Sequence, residues 1–150
     1  MHANLQAIQA IETLLNAAST PPWRRAYASR QVPPTAALPA VLVFESGESS
    51  SQRGLTGYRR QDRALMVDIA FVTRPKANPE DITAELNAAA AKIETTLTLT
   101  ALGSETYDAC DYAGRELNEL PDEDGNVSIV LHYAVAFPTL EGRPETLGAD

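Results

Sequence analysis

The sequence has few of the residues on which covalent cross-links and metal centres depend. Its 150 residues include one cysteine, Cys110, and two histidines, His2 and His132. A single cysteine excludes both an intramolecular disulfide and a cysteine-based zinc site. No apolar run approaches the roughly 18 residues needed to cross a bilayer, and the N-terminus lacks the basic-then-apolar order of a secretory signal. We therefore expect a chain that is made in the cytosol and has no membrane partner.

The sequence also lacks the short motifs that mark common catalytic sites. It contains no G-x-S-x-G motif, no P-loop and no G-x-G-x-x-G motif. No histidine lies near Cys110 in the chain, so we interpret this cysteine as a small buried hydrophobe. We interpret His132 as a packed or surface side chain of a strand, and His2 lies at a fraying terminus. The sequence thus predicts no catalytic residue, no cofactor and no metal site, and an enzyme is the least favoured class.

Charge is divided unevenly along the chain. The net charge is −8, but residues 1–76 carry nine Lys or Arg against five Asp or Glu, whereas residues 77–150 carry three against fifteen. An acidic chain is a poor candidate for nonspecific binding to nucleic acid, because that affinity comes from neutralising phosphates. A chain with one basic and one acidic half can instead bind a copy of itself head to tail.

Two segments have the spacing of helices. Apolar residues recur every three or four positions across residues 4–18, which predicts an amphipathic helix. The second helix is predicted to begin at Asn78, since Asn is a good N-cap, Pro79 suits the first turn, and Glu80 and Asp81 favour a helix N-terminus. Its apolar stripe runs to Leu97.

Strands are predicted around these helices. Residues 38–44 (LPAVLVF) form a short apolar run typical of a strand that is buried on both faces. Residues 65–72 and 127–137 alternate between apolar and other side chains, and residues 23–30 and 106–117 are weaker candidates. Residues 45–57 read as a long flexible loop, and Pro138 is expected to end the last strand. We therefore predict an α+β fold with an antiparallel or mixed sheet of about four to five strands and two helices on one face. Residues 1–138 would form one domain, followed by a mobile tail at 139–150.

Two charged clusters could serve either as plain surface or as contacts. Residues 121–126 form a predicted turn, in which Gly125 or Asn126 can adopt a positive φ. The acidic residues at 116–124 lie in and before this turn, which favours a solvated hairpin tip over a Mg²⁺ or Ca²⁺ site. Arginines border the predicted loop and could either solubilise an edge strand or dock an acidic partner. The residues that we predict for an assembly interface are Arg53, Arg59, Arg60, Arg63, Asp122, Glu123 and Asp124.

The order of these segments resembles that of the tail terminator proteins of long-tailed bacteriophages, the minor tail protein U type. The resemblance covers roughly residues 3–137. It rests on the strand at 38–44, the polar segment after it, the strand at 65–72, the helix opening NPEDITAEL at 78–86, the acidic turn DEDG at 122–125, and the strand VLHYAVAF at 130–137. This chain departs from the family in its longer arginine-bordered loop and in the residues after Pro138.

The resemblance implies a structural protein with no catalytic residues. Such a protein assembles as a homo-hexameric ring in the virion tail, caps the finished tail tube, stops its polymerisation and presents a surface for the head-completion or neck protein. DNA would pass through the ring without sequence-specific binding. Two alternatives remain open at this point: a neck or head-completion protein of the same virion, and a small metal-dependent hydrolase that uses the acids at 116–124.

Overall fold

A computed structural model gives the fold for residues 1–53, 60–140, 143–145 and 147. Within these residues, a five-stranded sheet carries two main helices and one short helix. The helices are α1 (Ala3–Asn16), α2 (Pro79–Thr96) and α3 (Leu99–Leu102). The strands are β1 (Arg25–Tyr27), β2 (Ala40–Arg53), β3 (Arg60–Thr73), β4 (Ala109–Asn118) and β5 (Val127–Leu140).

The sheet is mixed, with the strand order β1-β2-β3-β5-β4. β1 pairs with β2 in parallel, while the β2–β3, β3–β5 and β5–β4 pairs are antiparallel. The two main helices pack on the same face, with α1 over β1 and β2 and α2 over β3 and β5. The predicted α+β fold with two helices on one face is confirmed.

The main core lies between the helices and one face of the sheet, which we call the helix face. The alternation in β5 places Ile129, Leu131 and Val135 on this face, and each is fully buried. Leu86 and Ile93 of α2 are also fully buried and belong to the same cluster. Period-two strands and a period-3.6 helix therefore meet along one apolar layer.

The other face of the sheet, which we call the open face, is covered by no helix of the described chain. Its apolar centre is a small second cluster composed of Leu38, Ala40, Leu42, Ala70 and Val72. Tyr27, Phe44 and Val130 pack against this cluster while remaining partly exposed. Residues 40–43 are thus buried on both sides of the strand, as the sequence predicts.

Local signals explain where α2 and the last hairpin are placed. The side chain of Asn78 accepts a hydrogen bond from the amide of Glu80 at 3.1 Å, which caps α2. In the turn between β4 and β5, Gly125 adopts a φ of +79°, a value that favours glycine. The predicted helix start and the predicted positive φ at Gly125 or Asn126 are both confirmed.

The predicted loop at 45–57 is wrong for the part that the structure describes. β2 continues to Arg53 and pairs with β3 as far as the Arg53–Arg60 pair, with one bulge between Glu45 and Gly47. Residues 54–57 of the predicted loop lie outside the described residues. The sequence misleads here because this part of β2 is polar on both faces, so no apolar alternation marks it as a strand.

The predicted end of β5 at Pro138 is also wrong. β5 runs to Leu140, and Pro138 pairs with Asp62 of β3. β4 begins at Ala109, opposite Ala136, so among the described residues β5 has a neighbouring strand on only one side at Pro138, a position at which proline is tolerated. Beyond the strand, the carbonyl of Pro144 accepts a hydrogen bond from the amide of Ala3 at 2.8 Å.

Candidate assembly surface

The edge of the sheet formed by β1 is positively charged. Residues 13–44, which contain β1 and its flanking segments, include no aspartate or glutamate. Their three arginines are Arg24, Arg25 and Arg30, all of them exposed. Two of the guanidinium groups lie over aromatic rings of the open face, at 5.1 Å from the centroid of Tyr27 and 4.8 Å from that of Phe44. No carboxylate of the described residues forms an ion pair with them.

The opposite edge, formed by β4, is negatively charged. Residues 104–126 contain a single basic residue, Arg115. Their eight acidic residues are Glu105, Asp108, Asp111, Glu116, Glu119, Asp122, Glu123 and Asp124, all of them exposed. Four strand spacings of about 4.8 Å separate the two edges, so the opposite charges lie roughly 19 Å apart. The uneven charge of the sequence is therefore an uneven charge of the folded sheet, from one edge to the other.

Exposed apolar side chains accompany these charges at both edges. On β4, Tyr112 and Leu117 are 44% and 42% exposed. On the β1 side, Leu5 of α1 is 44% exposed and Val32 is 38% exposed. A monomer gains nothing from large apolar groups in water, whereas a contact between subunits buries them.

A cavity of about 430 Å³ opens at the β1 side, where β1 ends and β2 continues alone. Its apolar walls are Leu5, Ile8, Ala28, Val43 and Phe44, and its polar walls are His2, Asn4 and Glu45. The side-chain amide of Asn4 donates hydrogen bonds of 3.3 Å to both Glu45 and Glu48, and its buried Oδ1 has no partner among the described residues. The cavity therefore combines mainly apolar walls with a buried acceptor, Asn4 Oδ1.

The predicted interface arginines lie at one end of the sheet. Arg53 and Arg60 are paired across the β2–β3 hairpin next to its tip, while Arg59 lies outside the described residues. Arg63 is held within its own chain: its guanidinium contacts the Glu48 carboxylate at 2.7 Å and donates to Thr139 Oγ1 at 3.0 Å. Its side chain is only 11% exposed, so it is not a free surface cation.

The predicted interface acids lie at the other end of the sheet. Asp122, Glu123 and Asp124 are exposed in the turn between β4 and β5. Asp122 Oδ1 accepts hydrogen bonds from the amides of Asp124 and Asn126, both at 2.9 Å, and so shapes the turn. Since β3 and β5 run from one end to the other, roughly 44 Å separates these acids from the hairpin tip. The fold does not bring the two predicted clusters together.

One row of polar side chains crosses the open face. His132 Nδ1 lies 2.6 Å from Asp68 Oδ1, and His132 Nε2 lies 3.8 Å from Glu116. Ser46 Oγ contacts the same Asp68 oxygen at 3.3 Å. Sequence reasoning missed the Asp68 partner, because a lone Asp on the polar side of a strand carries no sign of what it faces. The sequence places His132 on a strand surface, and the structure shows it partly buried there.

The thiol and phenol groups near β4 pack in or against the main core. Burial, with a smaller contribution from Asp111, raises the pKa of Cys110 to about 11. Burial also raises the pKa of Tyr107 and of Tyr133. A thiol that stays protonated at neutral pH is a poor nucleophile, and Cys110 packs at the margin of the main core. This agrees with its interpretation as a small hydrophobe.

The part of the chain that the structure describes contains no group of three or more His, Cys, Asp or Glu side chains arranged to hold a metal ion, and the acids at 116–124 form no such group. No helix within these residues combines the length and apolar character needed to span a membrane.

Comparison with known proteins finds similarity among solved structures. A search of protein-family models found no match, and neither did a search of curated proteins. Among solved structures, the chain is similar to a chain from the virion of a native gene transfer agent particle. The two chains are 15% identical, the match covers 91% of this chain and 92% of that chain, and the TM-score is 0.47. A likeness at this level carries no functional argument by itself.

Proposed function

We propose that this chain is a ring-forming structural protein of a bacteriophage tail, of the tail terminator type. The observation that carries the proposal is the opposite charge of the two edges of the sheet, positive at β1 and negative at β4. A contact between two unlike patches is heterologous, and repeated heterologous contacts close into a ring when the rotation permits it. The order of segments, which resembles that of tail terminators, supplies the virion setting and six as the number of subunits.

The two ends of the sheet would then face the two sides of the ring. Lateral contacts through the edges leave the strand direction along the ring axis. The end of the sheet at the Arg53–Arg60 pair would face one side, and the acidic turn at 122–124 would face the other. We assign these ends to the two axial partners, the tail tube protein and the head-completion protein, while DNA passes through the hole.

The length of tail tubes polymerised with and without the chain tests this function directly. The purified chain is added to the tail-tube protein of the same virus during polymerisation, and tube lengths are measured by negative-stain electron microscopy. We expect rings at tube ends and an arrest of growth at a ratio of about one ring per tube. Tubes that grow at the same rate with and without the chain, and carry no rings, would contradict the proposal.

A further inference from the structure

The edge of β2 is only partly used within the subunit. β1 pairs with β2 from Ala40 to Leu42 and then ends, so residues 43–53 have no neighbouring strand on that side among the described residues. Arg30 donates to the Glu45 carbonyl, which occupies one acceptor of this edge. An exposed strand edge offers a row of amide and carbonyl groups to another strand.

β4 is the other edge of the sheet and has a similar length. It contains 10 residues, and among the described residues only β5 pairs with it. Its own chain cannot bring it to the β2 edge, because β3 and β5 lie between them. A second copy of the chain can do so.

The symmetry of a ring fixes how these two edges would meet. The successive antiparallel pairs β2–β3, β3–β5 and β5–β4 make β4 antiparallel to β2. Rotation about an axis along the strands changes neither the strand direction nor the face to which a side chain points. β4 of a neighbouring copy would therefore run antiparallel to β2, with its helix face beside the helix face of that copy. At equal height Leu117 would lie beside Val41, which already pairs with β1. A tilt of the strands relative to the ring axis would displace β4 by about two residues along β2 toward Arg53 and so bring it onto residues 43–53.

The apolar side chains match on the helix face. Tyr112 and Leu117 of β4 lie opposite Tyr133 and Ile129 of the main core, so both point to this face. The cavity beside residues 43–45 of β2 opens below α1, on the same face, and its walls are mainly apolar. In the ring, the exposed apolar side chains of β4 would thus face the apolar walls of the cavity at the β2 edge.

The charges match on the open face. Asp111 and Glu116 pair with Ala134 and Val130 of β5, which places both acids on the open face. Arg25 and Arg30 lie over the open-face rings described above. Glu116, the acid nearer the β1 end of the sheet, would therefore approach Arg30 of the neighbouring copy.

On the helix face, each edge carries charge of the sign opposite to the rest of that edge, and these charges are complementary as well. Arg115 is the one basic residue of the β4 segment and pairs with Leu131 of the main core. Glu45 and Glu48, which lie on the β2 edge, bond to Asn4 of α1 on the same face. Charge complementarity therefore holds separately on both faces of the sheet, which a simple attraction between an acidic and a basic half does not require.

We propose that β4 of one subunit adds to residues 43–53 of β2 in the next subunit as an antiparallel strand, with Leu117 at the cavity below α1 and Tyr112 further along the same face. This inference rests on the proposed ring, for which it names the contact. Backbone pairing would give the interface its stability, and the charges on both faces would set its register.

Replacing an apolar side chain of β4 by a charged one tests the contact with the cavity below α1. Leu117→Asp is compared with the control Leu120→Asp, which changes a residue that is 87% exposed in the turn beyond β4. Both variants should keep the wild-type circular dichroism spectrum and melting temperature, because both side chains are exposed. At a concentration at which the wild-type chain forms rings, Leu117→Asp should raise the concentration needed for assembly at least tenfold, and Leu120→Asp should leave it unchanged.

A charge swap tests the direction of the contact. Arg30→Glu and Glu116→Arg should each weaken assembly at least tenfold, and the double variant should regain most of the loss, since opposite charges again face each other. An equal mixture of Leu117→Asp, blocked at β4, and Arg30→Glu, blocked at β2, retains one working interface between unlike subunits. Native mass spectrometry should then show heterodimers in place of rings.

The outcomes separate this inference from the proposed function. Rings that form equally well from folded Leu117→Asp and from both charge variants would overturn the strand addition while leaving a ring protein. A double variant without recovery, or a mixture without heterodimers, would also overturn it. A wild-type chain that forms no rings, alone or on tail tubes, would overturn the proposed function and this inference with it.

Discussion

Reversing the charge of Arg63 should destabilise the fold itself. The guanidinium contacts Glu48 at 2.7 Å and Thr139 at 3.0 Å, and it joins β2, β3 and β5 where these strands extend beyond the helices. In Arg63→Glu, both contacts are lost and a second carboxylate is placed beside Glu48. From the sequence alone, Arg63 is instead predicted to belong to an assembly interface.

The size of the effect follows from the burial of the pair. Removing one partner of a fully buried ion pair costs about 3–5 kcal/mol, but the Glu48 side chain is 27% exposed against 11% for Arg63. Water therefore relieves part of the penalty, and we expect a loss of about 2–4 kcal/mol in the free energy of unfolding. In a domain of this size, each kcal/mol corresponds to about 2–4 °C, so the melting temperature should fall by roughly 5–15 °C.

Differential scanning calorimetry of three variants measures this effect. Arg24→Glu is the matched control, because Arg24 is exposed and, among the residues that the structure describes, its guanidinium bonds only to the Ala36 carbonyl at 3.3 Å. The swap of Arg63→Glu with Glu48→Arg should recover part of the loss by restoring opposite charges. If Arg63→Glu melts at the same temperature as Arg24→Glu, the argument from the ion pair is refuted.

The remaining predictions concern the core, the thiol and the charged edges. Leu86→Ala should cost about 2–5 kcal/mol in urea denaturation, since Leu86 is fully buried between α2 and the sheet; a cost below about 1 kcal/mol would contradict this packing. Cys110 should be alkylated slowly at pH 8 and about tenfold faster per pH unit up to its pKa of about 11, as followed by mass spectrometry; fast modification at pH 8 in the native state would contradict the raised pKa. Raising salt from about 0.05 to 0.5 M should weaken assembly, because the electrostatic screening length falls to a few ångströms. Light scattering that does not change with salt would indicate an interface without charge pairing.

The elements that the sequence predicts best are those with one buried face. Eleven alternating residues define β5 from Val127, and the Asn-Pro-Glu-Asp start defines α2, because burial and capping each leave a local pattern. Residues 45–53 form a strand without such a pattern, since their partners are backbone groups of β3. Pro138 misleads for a related reason: its effect depends on whether a strand lies on both sides, which is a property of the sheet.

For the candidate surface, too, local features are visible in the sequence, whereas features that depend on strand register are not. The uneven charge is visible in the sequence. It becomes a difference between the two edges of the sheet because the basic segment contains β1 and the acidic segment contains β4. The predicted clusters at the hairpin tip and the acidic turn are placed at opposite ends, and Arg63 is bound to Glu48, because strand register decides both. No sequence signal identifies the cavity below α1, since its walls come from three separate segments.

The mass of the assembled species tests the central claim most directly. Native mass spectrometry across a range of concentrations, with and without short tail tubes, distinguishes subunits from rings. We expect a closed species of six times the 16.1 kDa subunit mass, which dissociates in Leu117→Asp and persists in Leu120→Asp. A species that remains a monomer at every concentration and in the presence of tubes would contradict it.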